Sequence, residues 1–183
     1  MAAALDADET GRGVDKVALL LLDGLALNQW LVLHDVLGQQ QPDARCDEHV
    51  EFAWIPTITS VSRQAAFAGK PPIYYPGSLH TTDKEAMLWT RFWIGQGFTQ
   101  AEVAYAKGLG ENASLSAVEE IVSHPEVRMV GLVVDTIDKI MHGMQLGTAG
   151  MHNQVRQWAA EGFIATLLNL LLDYGMVGSP SRR

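Results

Sequence analysis

Lys16-Val-Ala-Leu-Leu-Leu-Leu22 runs straight into Asp23-Gly24, and the fold is decided there. A strand with one wet face alternates apolar and polar residues. Six apolar residues in a row suit instead a central parallel strand covered by helices on either side. Leu25 to Leu37 continues with a helical pattern that stops at Gly38. Val127 to Val134 repeats the strand signal strongly and opens on Asp135. Val50 to Ile55, closed by Pro56, and Gln100 to Ala106 are shorter strand candidates. Thr57 to Ala68 reads as a helix stopped by Gly69. Gly69 to Thr81, with Lys70-Pro71-Pro72 and Tyr74-Tyr75-Pro76-Gly77, reads as a loop. Thr82-Asp83-Lys84-Glu85 has capping-box spacing for the next helix, and Ser116 and Glu119 have it for a short helix ending at Ser123. A long helix is predicted from Met151 to Tyr174. Strands alternating with helices predict an α/β fold, a mostly parallel sheet with helices on both faces.

The 183 residues suffice for one compact domain, and 48% hydrophobic with 19% charged residues is a globular mixture. The expected organisation is a flexible tail over 1–15, a domain over 16–177 and a tail over 178–183. A formal net charge of -8 excludes bulk electrostatic binding of nucleic acid, although a focused metal site escapes that argument. One cysteine, Cys46, excludes an internal disulfide framework and a cysteine-based zinc finger, and fits a reducing compartment. Met1 to Asp15 carries neither an apolar core nor a basic start, so no targeting segment is expected. Asp23, Asn28 and Gln29 interrupt the apolar stretch from Val17 to Leu33, so no membrane span is expected, and the expected location is cytoplasmic. Where a further buried strand is expected after Gly175, only Met176-Val177 precedes Gly178-Ser-Pro-Ser-Arg-Arg183. The chain therefore reads as the front part of a larger domain, truncated at its C-terminus.

Three features fall at the end of the sheet where open α/β folds bind ligands. Asp23 follows four leucines, and a carboxylate there needs a partner or a cation, unless it simply caps the next helix. Pro56-Thr57-Ile58-Thr59-Ser60-Val61-Ser62-Arg63 places hydroxyls at a helix start, which suits an anionic substrate and equally suits a plain N-cap. Arg63 would clamp a phosphate or face solvent. Asp135-Thr-Ile-Asp138-Lys-Ile-Met-His142-Gly143 sets a carboxylate and an imidazole on one helical face, for a cation or as an i,i+4 ion pair. His152 is expected to decorate the start of the long helix. Trp89 and Trp93, four apart, argue for one packed helix face. Other templates fail. Gly11-Arg12-Gly13 precedes the first strand, Gly69-Lys70 is followed by Pro71, and no nucleophile elbow occurs.

Taken in order, these residues resemble the PglZ family within the alkaline phosphatase superfamily. The likeness rests on Leu22-Asp23-Gly24, on Pro56 to Arg63 with Gly69-Lys70, and on Asp135 to Gly143 followed by Met144-Gln-Leu-Gly147-Thr-Ala-Gly150-Met-His152. It runs from about Lys16 to Gly175. The family is associated with bacterial phage-resistance systems of the BREX type, as the phosphatase component. The resemblance implies a metal-dependent phosphohydrolase or phosphodiesterase acting on a phosphate ester, with other phage-defence proteins as partners. It implies that Asp23 binds one metal ion and that Thr59 is the nucleophile on that same ion, with Ser60 as the alternative one position on. Asp138 and His142 would bind the second ion, and Arg63 the substrate. Zinc is the implied metal, with manganese or magnesium as alternatives. The superfamily's later Asp-His pair and distal His have no counterpart in this chain, and the 178–183 tail does not resemble the family. That implies incomplete metal sites and impaired turnover. A second reading is a non-catalytic remnant or assembly module acting through protein–protein contacts at an open sheet edge.

Overall fold

The computed structural model describes residues 16–42, 54–143 and 148–176. In chain order these form β1 (Val17–Leu22), α1 (Leu27–Gln40), α2 (Thr59–Ala68), α3 (Glu85–Gly95), β2 (Val103–Leu109), α4 (Leu115–Ser123), β3 (Met129–Val134), α5 (Thr136–Gly143), α6 (Thr148–Ala160) and α7 (Phe163–Asp173). The predicted α/β class holds. Three parallel strands lie in the order β1-β3-β2, with Val17 opposite Met129 and Leu22 opposite Val134. β3 is buried along its whole length. Its alternate residues feed two cores. Val130, Leu132 and Val134 pack with residues of α1, α4, α6 and α7, while Met129 and Val133 pack with Phe67 of α2 and with Trp89 and Trp93 of α3. Helices therefore cover both faces, and the i,i+4 tryptophans form the packed face that their spacing predicts.

Among the described residues β1 pairs on one side only, with β3, so its expected central place is not decided by them. Its apolarity on both faces matches the two helix layers that cover the sheet. The predicted strand at Val50 to Ile55 lies mostly outside the described residues; Trp54 and Ile55 belong to no strand. β2 begins later than predicted, after a short 3-10 turn at Gln100–Glu102. It also carries one extra residue, since Ala106 faces Leu132 but Leu109 faces Val134. Gly108 takes the left-handed conformation that this bulge requires, with φ +78. The predicted loop from Gly69 holds two short 3-10 turns, Pro72–Tyr74 and Pro76–Ser78.

α1 passes through Gly38 to Gln40, because an exposed glycine weakens a helix without ending it. The predicted long helix is two, α6 and α7, broken at Gly162, whose φ is +83. The break folds Phe163 back onto Trp158, with ring centroids 6.3 Å apart, so both helices serve one core. Neither predicted capping box forms. Ser116 Oγ donates to Ala113 O, and Glu85 is drawn inward onto Arg63. Among the described residues, no helix is long and apolar enough to cross a membrane. The two tails, 1–15 and 178–183, lie outside the described residues.

Phe67 is fully buried, edge-on to Trp89 and Tyr105 at centroid distances of 5.6 and 5.2 Å. Phe67→Ala is expected to cost about 3–5 kcal/mol of unfolding free energy in a denaturant titration, through lost burial and a residual cavity.

Candidate active site at the carboxyl end of the sheet

Asp23 extends the ladder one residue beyond β1, its amide donating to Val134 O at 2.9 Å. Asp135 does the same beyond β3, its amide donating to Leu109 O at 3.1 Å. Two carboxylates thus emerge at the same end of adjacent strands. Asp23 is 7% exposed, and its Oδ2 accepts a hydrogen bond from Arg63 Nη1 at 2.9 Å. It caps no helix; the N-cap of α1 is Ala26, whose amide is taken by Gln29 Oε1 at 2.8 Å. Asp135 Oδ1 lies 3.0 Å from Lys139 Nζ, one turn along α5.

Arg63 does not face solvent. It is 7% exposed and holds a second carboxylate, with Nη2 donating to Glu85 Oε2 at 2.5 Å. Tyr105 Oη donates to that same oxygen, also at 2.5 Å. Burial opposes the charge on Arg63, but the hydrogen bonds and charges of Glu85 and Asp23 outweigh it and raise the guanidinium pKa. Burial also raises the Tyr105 pKa, and the Glu85 hydrogen bond and charge raise it further, so the phenol stays a donor. Arg63 Nε and Glu85 Oε1 are buried without a hydrogen-bond partner, so three contacts carry the network. Sequence reasoning missed Glu85 and Tyr105. The available signal was spacing: Glu85, Trp89 and Trp93 are four apart, as are Arg63 and Phe67, which puts both charges on buried helix faces.

Thr59 is the first residue of α2 and is half-buried. No side chain caps this helix, so the plain N-cap alternative is not realised by the hydroxyls at its start. The Ser60 hydroxyl donates to Leu79 O at 2.6 Å. Gln64, fully buried, fastens the following loop to α2: its Nε2, with two N–H groups, lies within hydrogen-bond distance of Ser78 O and Thr81 O in the loop and of Ser60 O in its own helix, and its Oε1 accepts from Ser78 Oγ. Sequence reasoning passed over it as well.

Asp138 and His142 share one face of α5, with Oδ1 and Nε2 3.5 Å apart. Two donors each about 2.0–2.1 Å from a tetrahedral ion lie roughly 3.3 Å apart, so this pair fits two corners of one cation site. Gly24 brings α5 against Asp23. A Cβ built on Gly24 would sit 3.0 Å from the Asp138 Cα and 2.7 Å from Met141 Cε, and Gly24 has φ +72. His152 stands apart from this pair, its Nε2 3.0 Å from Asn28 Nδ2. Among the described residues, no three His, Cys, Asp or Glu side chains gather into a metal-holding group. The residues 144–147 of the glycine-bearing stretch after α5 lie outside the described residues.

The family model described as the BREX system PglZ alkaline phosphatase-like domain matches residues 7–177. No curated protein matches the chain.

Gly24→Ala is expected to lower the unfolding free energy by about 1–2 kcal/mol from the left-handed backbone alone and by more from the Asp138 contact. Gly38→Ala, in an exposed helical turn with nothing within 4 Å of the new Cβ, is expected to raise stability by up to about 1 kcal/mol. Chemical denaturation of the two variants checks both signs.

Proposed function

The chain belongs to the PglZ family of alkaline phosphatase-like domains, and from that membership we propose that the carboxyl end of its sheet is a metal-dependent phosphohydrolase or phosphodiesterase site. The observation that carries this reading is the Asp138–His142 donor pair, seated through Gly24 beside the turn that bears Asp23. Thr59 is the nucleophile in this account. Its hydroxyl sits at the start of α2, where unsatisfied amides and the helix dipole favour an anionic substrate. Ser60 is the weaker choice, because its proton is already given to Leu79 O. Thr59 Oγ1 gives up its proton to solvent and forms the new bond to phosphorus as the ester oxygen departs with the bonding pair and takes a proton from solvent. Water then displaces the threonine oxygen from phosphorus to release phosphate and restore the hydroxyl.

Two divalent ions, zinc with manganese or magnesium as alternatives, would supply charge neutralisation and Lewis acidity at the attacking and leaving oxygens. Asp23 and Thr59 would hold one, Asp138 and His142 the other. The substrate-clamp role for Arg63 has no free fork to use, since both terminal nitrogens are engaged by carboxylates. The setting proposed for the domain is the cytoplasm, alongside other phage-defence proteins. One feature favours a second reading, an assembly module: β1 is apolar, half-buried along most of its length, and has no strand on its outer side among the described residues.

Release of nitrophenolate from mono- and bis-nitrophenyl phosphate, with added zinc or manganese, separates the two. The catalytic reading expects metal-dependent release that falls by at least about 100-fold in Thr59→Ala. A parent chain with no metal-dependent release, or one unaffected by Thr59→Ala, contradicts it.

A further inference from the structure

We propose that Arg63 is a positioning residue for Asp23, and that Glu85 and Tyr105 fix its guanidinium so that Asp23 keeps Oδ2 on the arginine and leaves Oδ1 as a ligand for a divalent cation. The inference rests on the phosphohydrolase reading and assigns it residues that its motifs do not contain.

The geometry favours this role over a direct one. An arginine that grips a phosphate presents its two terminal nitrogens as a fork. Here Nη1 is on Asp23 and Nη2 on Glu85, and the Arg63 side chain is 8% exposed. The fork points into the protein. Asp23, by contrast, is held twice at the mouth of the sheet, by its amide on Val134 O and by Oδ2 on Arg63, while Oδ1 has no described hydrogen-bond partner. A carboxylate with one oxygen tied to an outer donor and the other free is the arrangement by which supporting residues orient a ligand and set its basicity.

Glu85 and Tyr105 complete the support. Glu85 is fully buried, and both of its donors converge on Oε2. Tyr105 comes from β2, Glu85 from α3, Arg63 from α2 and Asp23 from the end of β1. Two strands of the sheet and the two helices packed on one of its faces are therefore linked in a line that ends at the candidate ligand. Tyr105 offers a clean way to disturb that line. Removing its hydroxyl leaves the ring in its edge-on contact with Phe67 and takes away the hydrogen bond to Glu85 and the phenol's interaction with Arg63. A residue that served packing alone would not notice the change.

The test is Mn2+ uptake by the full chain, followed through the electron paramagnetic resonance signal of free Mn2+. The parent is compared with Tyr105→Phe, Arg63→Lys, Asp23→Asn and the Asp23→Asn/Tyr105→Phe double variant, each checked by circular dichroism. Arg63→Lys is expected to weaken binding on the order of 10-fold or more, and Tyr105→Phe to weaken it by less in the same direction. In the Asp23→Asn background, Tyr105→Phe is expected to cause no further change. Parent-like affinity in Tyr105→Phe and Arg63→Lys overturns the proposal, as does a Tyr105→Phe effect undiminished without the Asp23 carboxylate. A parent that takes up no Mn2+ removes the metal reading itself, and the proposal with it.

Discussion

Two carboxylates on one buried guanidinium hold this molecule together at its most demanding point. Asp23 ends a run of four leucines at the mouth of the sheet, and Glu85 begins a helix whose inward positions continue with Leu88, Trp89 and Trp93, so the Glu85 charge cannot reach bulk water without dismantling a layer of the fold. Arg63 satisfies both, through Nη1 and Nη2. Interactions of this kind are lopsided. The assembled pair contributes little net stability over an apolar replacement, while removing one partner costs about 3–5 kcal/mol because the others stay behind uncompensated. The triad is therefore better understood as a constraint than as a source of stability. It dictates how α2 and α3 sit on the sheet, and so where Thr59 stands relative to Asp23.

That placement connects the fold to its chemistry. Thr59 and Arg63 are one helical turn apart on α2, so the residue that holds the Asp23 carboxylate also sets the approach of the hydroxyl. On the other face, α5 leaves β3 directly and is seated on Gly24, which ties Asp138 and His142 to the same turn. Both devices are local. The ends of β1 and β3 deliver Asp23 and the helix bearing Asp138 and His142 to one end of the sheet, and the Arg63–Asp23 contact brings the start of α2 to the same place.

The layers and the site motifs were legible because they depend on short-range pattern. The apolar runs at 17–22 and 129–134, the Gly69 stop and the i,i+4 spacing of Asp138 and His142 each translate into backbone geometry with little help from the rest of the chain. What escaped depends on long-range pairing. Glu85 matched a local capping rule, and the buried arginine 22 residues earlier in the chain outcompeted Thr82 for it. Gly38 and Gly162 carry the same letter, yet only Gly162 breaks a helix, because a hydrophobic turn at Phe163 is ready to pack against Trp158.

The most direct measurement is the unfolding free energy of Arg63→Met set beside that of the triple variant Arg63→Met/Asp23→Asn/Glu85→Gln, both by denaturant titration of the full chain. If one guanidinium sustains two buried carboxylates, Arg63→Met loses about 3–5 kcal/mol and neutralising both acids restores most of it. A triple variant no more stable than Arg63→Met alone would contradict that account.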